Sequence, residues 1–348
     1  MKSLKYILFL LLIAIIGISI YIAVQPNSFQ VTRSRTIKAP ASVIYDNIID
    51  FKNWEAWSSW IEENPEIKVQ LPEKTEGVGS SYQWVDDGEV GTITTISTDK
   101  PSSIEQKMQI DEFPPSEISW TFKPNGDGTT DVSRTISGKN LPFMFKAYTI
   151  FMGGMEKQIA PHFERELKKI DSVVVNGMKA YTIKVEGVTE HGGGFYLYKT
   201  TSSTASNIAN MRARQEADIR NFLKDNSIQT NGMSFTIYNE MNDDGSVIMS
   251  NAIPVQNKVT VAEDSNILCG YMDRTRALKT TLKGDYSNLG EAWNTAMKYI
   301  KDHNLETSDL KPFEIYSNDP EEVPNPANWT TELYIPLKTV EPVENPSL

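Results

Sequence analysis

An internal repeat in the C-terminal half most limits the folds open to this chain. Two segments there, FLKDNSIQTNGMSFTIYNE and YIKDHNLETSDLKPFEIYSND, align over their length at an offset of 77 to 78 residues. The pairs in step are Phe222 with Tyr299, Ile228 with Leu305, Thr230 with Thr307, Phe235 with Phe313 and Tyr238 with Tyr316. A period repeated only twice is too short for a solenoid. The repeat therefore predicts a duplicated module folded into one domain.

The N-terminus carries the clearest local signal. From Tyr6 to Val24, nineteen residues carry no charge, and Lys2 and Lys5 precede them. A helix of that length rises about 28 Å, close to the hydrocarbon thickness of a bilayer. The alternative is a cleaved signal peptide, whose apolar core is usually shorter and is followed by a small-residue cleavage site that this sequence lacks. We therefore expect a transmembrane anchor and linker over residues 1–28.

The flanking charges indicate an orientation for this helix. Two lysines precede it, and Arg33, Arg35 and Lys38 follow it. A very short basic N-terminal tail normally stays in the cytoplasm, and a long C-terminal domain crosses largely regardless of its own charge. We therefore expect a single-pass membrane protein whose soluble domains are extracytoplasmic.

Composition excludes several function classes. A net charge of -11 over 348 residues argues against a large nucleic-acid footprint, which needs clustered Lys and Arg. The single cysteine, Cys269, excludes an intramolecular disulfide, and the three histidines lie far apart without metal-ligand spacing. We expect no nucleic-acid partner, no metal and no cofactor.

Residues 29–175 have the pattern of an antiparallel meander between helices. A strand over 29–37 precedes a helix that begins near Pro40, and Trp54, Trp57 and Trp60 follow at helical spacing. Later segments rich in Thr, Ile, Val and aromatics read as strands: SSYQWV, VGTITTIS, SIEQKMQI, EISWTFK and TTDVSRTIS. A closing amphipathic helix is predicted over about 143–173.

This order of elements, with the opening IKAPASVIYDNIIDFKNWEAWSSW, resembles the START-like (SRPBCC) superfamily, which includes polyketide cyclase-like and Bet v 1 proteins. The resemblance implies a helix-grip fold with a hydrophobic cavity between helix and sheet for lipids or other apolar molecules. The three tryptophans and Met152 and Met155 can line that cavity or simply fill the core, and core filling is the commoner role. No nucleophile, base and orienting group are brought together here, so catalysis by this domain is not supported.

Residues 179–338 contain the duplication. Each half reads as strand, helix, strand, strand, with helices over about 206–224 and 287–303. The motifs GDYSNLGEAW, PFEIYSNDP and TELYIPL make this stretch similar to the GyrI-like family, the effector-binding domain of bacterial multidrug-responsive regulators. The resemblance implies a groove for amphipathic, often cationic ligands. The chain is thus predicted to be α+β, with a polar tail at 339–348.

The resemblance places the acidic pocket residue of the family at Glu332. In a strand, Glu332 and Tyr334 point to one face while Leu333 and Ile335 point to the other. A carboxylate beside an aromatic ring is complementary to a cation. The first copy has Ser250 at the matching position, so only one half carries the charge. The predicted ligand-binding residues are Glu332, Tyr334, Tyr286, Trp293, Phe313, Tyr316, Phe195, Tyr196 and Tyr238.

Three functions remain open at this point, one of which is a structural or signalling partner that has lost ligand binding. The first is a membrane-anchored protein that binds hydrophobic or amphipathic small molecules, cationic ones among them, in two domains. The alternative is a hydrolase of electrophilic small molecules, in which Glu332 is the general base and Tyr334 positions the substrate. Regulators of the GyrI-like family carry a helix-turn-helix domain, and here an anchor and a START-like domain take its place.

Overall fold

The computed structural model describes residues 2–204, 207–242, 244–318, 320 and 322–339. The chain divides between Gly177 and Met178 into two compact units, called unit 1 and unit 2 below. Most of the predicted polar tail, residues 340–348, lies outside the described residues. The α+β class and the predicted element order, an apolar helix followed by two antiparallel-sheet domains, are confirmed.

Unit 1 begins with the apolar helix. Its helices are α1 (Lys2–Ala23), α2 (Ala41–Ile49), α3 (Ser59–Glu63), α4 (Phe143–Phe151) and α5 (Met155–Gly177). Within α1, Leu4–Ala23 is long and apolar enough to cross a membrane. A signal sequence near the N-terminus can pass the same test of length and composition. The membrane anchor therefore stays a proposal.

A seven-stranded antiparallel sheet forms the body of unit 1. Its strands are β1 (Ser28–Ile37), β2 (Lys68–Gln70), β3 (Ser81–Asp86), β4 (Glu89–Asp99), β5 (Ser103–Ile110), β6 (Ser116–Pro124) and β7 (Thr130–Lys139). Their spatial order is β1-β7-β6-β5-β4-β3-β2. The chain thus runs as a meander from β2 to β7, and β1 pairs with β7 at the edge. The five predicted strand segments correspond to β3 to β7.

The closing helix is shorter than the sequence predicted. The prediction of one helix over 143–173 was wrong, because the chain turns at Gly153 and Gly154 between α4 and α5. These two residues have φ of 88° and 94°, which favours glycine and ends the helical path. Helix α5 then lies along the sheet and buries Phe163, Leu167 and Ile170.

The described residues of unit 2 form one eight-stranded antiparallel sheet and two α-helices. The strands are β8 (Thr182–His191), β9 (Gly194–Thr204), β10 (Phe235–Met241), β11 (Ser246–Pro254), β12 (Leu268–Met272), β13 (Thr275–Lys283), β14 (Phe313–Tyr316) and β15 (Thr330–Pro336). The helices are α6 (Ile208–Asp225) and α7 (Leu289–Asp302). The duplicated halves are therefore β9-α6-β10-β11 and β13-α7-β14-β15.

The two halves join at the centre of the sheet. The strand order is β12-β9-β11-β10-β14-β15-β13-β8, so β10 of one half pairs with β14 of the other. The edge strands are exchanged, since β8 lies beside β13 and β12 lies beside β9. Both helices cover one face: Leu333 and Ile335 pack with Ala296 and Ile300 of α7, whereas Tyr334 packs with other residues of the opposite face.

Candidate functional site

Unit 1 encloses a cavity of about 620 Å³ between α4, α5 and the sheet. Its wall is largely aromatic and aliphatic, because the inward positions of the strands and of α5 carry such residues. Tryptophan supplies much of this wall: Trp54, Trp57, Trp60 and Trp84. Trp54 and Trp57 are buried core residues as well as lining residues, while Trp60 is exposed. A cavity of this size and lining is typical of a site for a small apolar molecule.

A buried ion pair lies in the cavity wall. Arg134 of β7 donates to Glu166 of α5, and both side chains are less than a tenth exposed. The guanidinium carbon lies 4.2 Å from the ring centroid of Phe163 and 4.7 Å from that of Trp120. The backbone N–H of Ser59 donates to Glu166 at 3.2 Å. The pair therefore gives the largely apolar wall of the cavity a buried, strongly polar patch that is neutral overall.

Several lining residues have unused hydrogen-bonding capacity. Among the residues that the structure describes, Trp57 Nε1, Tyr82 Oη, Arg134 Nε and Gln158 Nε2 are buried without a partner. All four residues also line the cavity. Burial is the main reason that the pKa of the Tyr82 hydroxyl lies well above its usual range, which keeps this group neutral. Buried donors without partners are uncommon, and a bound molecule that carries acceptors can satisfy such groups.

Unit 2 holds a buried carboxylate at the junction of its two halves. Glu314 of β14 is 0 % exposed and accepts three hydrogen bonds on the helix face of the sheet. Trp293 Nε1 of α7 donates at 2.6 Å, and the hydroxyls of Tyr238 and Tyr316 donate at 2.9 Å each. The two tyrosines are equivalent residues of the duplicated halves. A single carboxylate is thus held by matching donors from both copies.

The charge at this position is balanced by a cation from the other half. The guanidinium carbon of Arg212, on α6, lies 3.7 Å from the ring centroid of Tyr316 and 4.5 Å from that of Tyr286. Burial raises the pKa of the Glu314 carboxyl, and the three donors and Arg212 act against that rise. Carboxylate, aromatic rings and a stacked cation together form what we call the Glu314 cluster: Glu314, Tyr238, Tyr316, Trp293, Tyr286 and Arg212.

The structure separates the predicted ligand-binding residues by sheet face. Tyr286, Trp293, Tyr316 and Tyr238 belong to the Glu314 cluster. On the opposite face lie Glu332, Tyr334, Phe313 and Tyr196, where the Phe313 and Tyr334 rings stack with centroids 5.0 Å apart. Phe195 packs on the helix-side core of the first half. The nine residues therefore do not form one site, and their roles stay predictions.

Glu332 has its own partners on that opposite face. Its carboxylate accepts from Tyr334 Oη at 2.8 Å and pairs with Lys279 Nζ at 2.8 Å. Its side chain is 25 % exposed. His191 lies beside this group, with its ring centroid 5.2 Å from that of Tyr334, and burial is the main cause of its lowered pKa. The Glu332 carboxylate, which the sequence predicted would bind a cationic ligand, is thus already paired with Lys279.

Sequence reasoning missed Glu314, Arg212 and Arg134. The repeat contained the signal for Glu314, because the alignment that matches Tyr238 with Tyr316 also sets Thr236 against Glu314. Thr236 and Glu314 are direct partners in the β10–β14 ladder. No spacing rule links Arg212 to Tyr316 or Arg134 to Glu166, since each pair joins elements that only the fold brings together.

Comparison with known families supports the two-domain interpretation. Residues 28–174 match the family described as polyketide cyclase / dehydrase and lipid transport. Residues 197–338 match the GyrI-like small molecule binding domain. The two resemblances drawn from the sequence are therefore confirmed. No curated protein is significantly similar to the chain.

Several solved structures are similar to parts of this chain at low identity. The EcmrR C-terminal domain is 17% identical with a TM-score of 0.40, over 46% of this chain and 99% of that domain. EcmrR in its DNA complex is 14% identical with a TM-score of 0.40, over 58% of this chain and 87% of that one. A protein of Chromobacterium violaceum is 15% identical with a TM-score of 0.32, over 43% of this chain and 98% of that one.

Proposed function

We propose that the chain is a membrane-anchored protein that binds small molecules, with a ligand site in each unit. Helix α1 supports the anchor, because its apolar side chains are exposed along most of its length. In a bilayer these side chains would lie in hydrocarbon. The extracytoplasmic placement of both units follows from the flanking lysines and is part of the proposal, as is the absence of a nucleic-acid partner.

The cavity of unit 1 is the observation that carries the proposal. Its volume of about 620 Å³ and its tryptophan-rich wall suit an apolar molecule, and the Arg134–Glu166 pair suits a polar end group on that molecule. The pair is neutral overall, so it can both donate to and accept from a ligand head. We therefore assign to this cavity amphipathic molecules with a largely apolar body.

Filling the cavity tests this assignment. Met108 lines the cavity on β5, whereas Lys107, the next residue back, is exposed. We expect full-length protein in lipid nanodiscs to bind a dansyl-labelled undecanoic acid above the background of empty discs. Met108→Trp should abolish that excess, and Lys107→Trp should retain it. Equal binding by the two variants would contradict a site in the cavity.

The Glu314 cluster supports the second site. A buried carboxylate with aromatic walls attracts a cationic or aromatic ligand, because low dielectric strengthens both charge attraction and cation–π contact. Arg212 now lies where such a cation would stack. We propose that a ligand of unit 2 takes the place of Arg212 over Tyr316 and Tyr286.

A matched pair of substitutions separates the two candidate carboxylates. Glu314→Gln and Glu332→Gln remove the same charge from opposite faces of one sheet. Binding of a rhodamine cation should fall about tenfold or more in Glu314→Gln, the loss expected for a charge-assisted contact. It should change little in Glu332→Gln. The reverse result would assign the cation site to Glu332.

The hydrolase alternative is favoured by one contact. Tyr334 donates to Glu332 at 2.8 Å, the pairing of carboxylate and phenol that a general base with a positioning group needs. Turnover of an electrophilic substrate such as an epoxide would support this alternative if Glu332→Gln abolished it while the protein stayed folded. Retained turnover in that variant would exclude Glu332 as the base.

A further inference from the structure

Helix α4 is inside out for a helix of a water-soluble domain. Its buried side chains are Lys146 and Thr149, which are polar. Its exposed side chains are large and apolar: Phe143 at 43%, Met144 at 73%, Tyr148 at 56% and Phe151 at 74%. These four residues fall on one face of the helix, since their spacing keeps them within roughly 140° at 100° per residue. We call them the α4 stripe.

The α4 stripe adjoins the end of the apolar helix α1. Lys146 Nζ donates to the backbone carbonyls of Ala23 at 3.1 Å and Gln25 at 3.0 Å. A cation at this place also interacts favourably with the C-terminal end of the α1 dipole. The backbone N–H of Leu141 donates to the backbone carbonyl of Asn27 at 3.1 Å, so the start of α4 also lies beside the end of α1. Where α1 leaves a bilayer, α4 therefore lies at its surface.

The lining of the unit 1 cavity includes one residue of the α4 stripe and the residue that follows α4. Tyr148 lines the cavity and is also exposed. Met152, which follows α4, lines the cavity as well and is 52% exposed. Phe145 of α4 lines the cavity as well, and its ring lies 5.9 Å from that of Phe113, another exposed aromatic. The cavity lining and the α4 stripe thus meet at Tyr148.

We propose that α4 lies in the membrane interface beside α1 and that the cavity opens toward the bilayer, so its ligand is a lipid-soluble molecule taken directly from the membrane. The proposal rests on the ligand site and the anchor proposed above. A bilayer fits this surface because α1 already exposes apolar side chains to the same medium. Tyr148 has an apolar ring and a polar tip, the character favoured at headgroup depth.

The first test measures depth. The test uses full-length protein in which Cys269 is replaced by serine. A single cysteine then replaces Met144 or Phe151 of the α4 stripe or, as the control, Lys123. Lys123 lies on β6, about 23 Å along the strand from Ser116, whose end of the sheet is nearest Phe113. Each cysteine carries an environment-sensitive fluorophore in nanodiscs that contain nitroxide-labelled phosphatidylcholine.

The label should lose fluorescence at residues 144 and 151 and retain it at residue 123. Equal quenching at all three positions, or none at residues 144 and 151, would overturn the proposal. If the unquenched stripe instead joined two copies of the chain, cross-linking between Met144→Cys protomers would reveal that occupant, and the membrane proposal would again be wrong.

The second test measures transfer from the membrane. Met144→Ser with Phe151→Ser removes the centre of the exposed stripe, and Lys123→Ser is the control. Dansyl-labelled undecanoic acid is supplied in phosphatidylcholine vesicles, and its uptake is followed by energy transfer from tryptophan. We expect uptake by the double variant to slow at least about tenfold, because removing even one large apolar side chain from the interface lowers partitioning by about that factor. Equilibrium binding should be unchanged.

The outcomes separate this inference from the proposed function. No binding at equilibrium by any variant would remove the ligand site itself. Normal binding with unchanged uptake in the double variant would retain the site and refute its opening toward the bilayer. Slow uptake in the double variant alone, together with lipid quenching of the stripe, is the result that this geometry predicts.

Discussion

Removing the charge of Glu166 should strongly destabilise unit 1. Glu166→Gln keeps the size of the side chain but leaves the Arg134 guanidinium buried without its carboxylate. Arg134 also contacts the rings of Trp120 and Phe163, which offer no carboxylate in place of the lost partner. Burial already lowers the pKa of Arg134, and Glu166 acts against that effect.

The expected loss is about 3–5 kcal/mol, the usual result when one partner of a buried pair is removed. Glu164 provides a matched control two residues earlier on α5. It pairs with Arg33 at 2.6 Å, but its side chain is 62% exposed. An exposed pair contributes only about 0–1 kcal/mol, so Glu164→Gln should leave stability nearly unchanged.

Urea unfolding of the full-length chain in detergent, followed by tryptophan emission, measures this difference. Five of the seven tryptophans report on unit 1: Trp54, Trp57, Trp60, Trp84 and Trp120. The double variant Arg134→Met/Glu166→Met should recover much of the stability, because it leaves no unpaired charge. A loss below about 1 kcal/mol in Glu166→Gln, equal to that of the exposed control, would refute the description of this pair as buried and coupled.

Three further predictions concern single residues. Burial lowers the pKa of His191 below 6.5, so the unfolded state binds a proton at this residue more readily than the folded state does. Unit 2 should therefore lose stability as pH falls through about 6.5. His191→Gln should reduce this pH dependence in thermal melts at pH 5 and 7. Gly91→Ala would place a Cβ 2.0 Å from the Trp84 ring, so it should cost about 1–3 kcal/mol in urea unfolding and alter dansyl binding in the cavity. Arg212→Ala should strengthen rhodamine binding about tenfold in fluorescence titrations, because the ligand no longer displaces a stacked cation worth about 0.5–2 kcal/mol; unchanged binding would show that Arg212 does not occupy the ligand position.

Local patterns predicted much of the fold. Alternating strands and the apolar faces of α6 and α7 depend on residues close in sequence, so β3 to β7 and both repeat helices were predicted near their observed positions. The predicted helix over 143–173 was wrong because its apolar period continues across Gly153 and Gly154. The helical spacing of apolar residues does not show that Gly153 and Gly154 adopt positive φ angles.

The candidate sites depend on long-range pairing, and the sequence predicted them less well. Four aromatic residues of the Glu314 cluster were named from the sequence, but its carboxylate was not. The repeat alignment instead indicated Glu332, near the C-terminus, because the first copy has Ser250 at the matching position. The difference between Thr236 and Glu314 lies at the centre of the sheet, where the two halves meet. Residues at such a junction are covered by both halves, which favours a buried site that the two halves share.

The same limit applies to unit 1. Its tryptophans were recognised as either core or cavity residues, and the structure gives Trp54 and Trp57 both roles. The reversed polarity of α4 was hidden within an apparently continuous helix. Once the glycines separate α4 from α5, its apolar stripe no longer has a sheet to cover, and the end of α1 is its neighbour.

Photo-crosslinking with a diazirine-labelled fatty acid tests the central claim, a ligand site within unit 1, most directly. Full-length protein in nanodiscs is irradiated with the probe, digested and mapped by mass spectrometry. We predict label on Met108 and Ile110 of β5 and on Met152 and Met155, which line the cavity from both sides. Met108→Trp should remove it from Ile110 and Met155. Label confined to Lys2–Ala23, or unchanged by Met108→Trp, would contradict a ligand in the cavity.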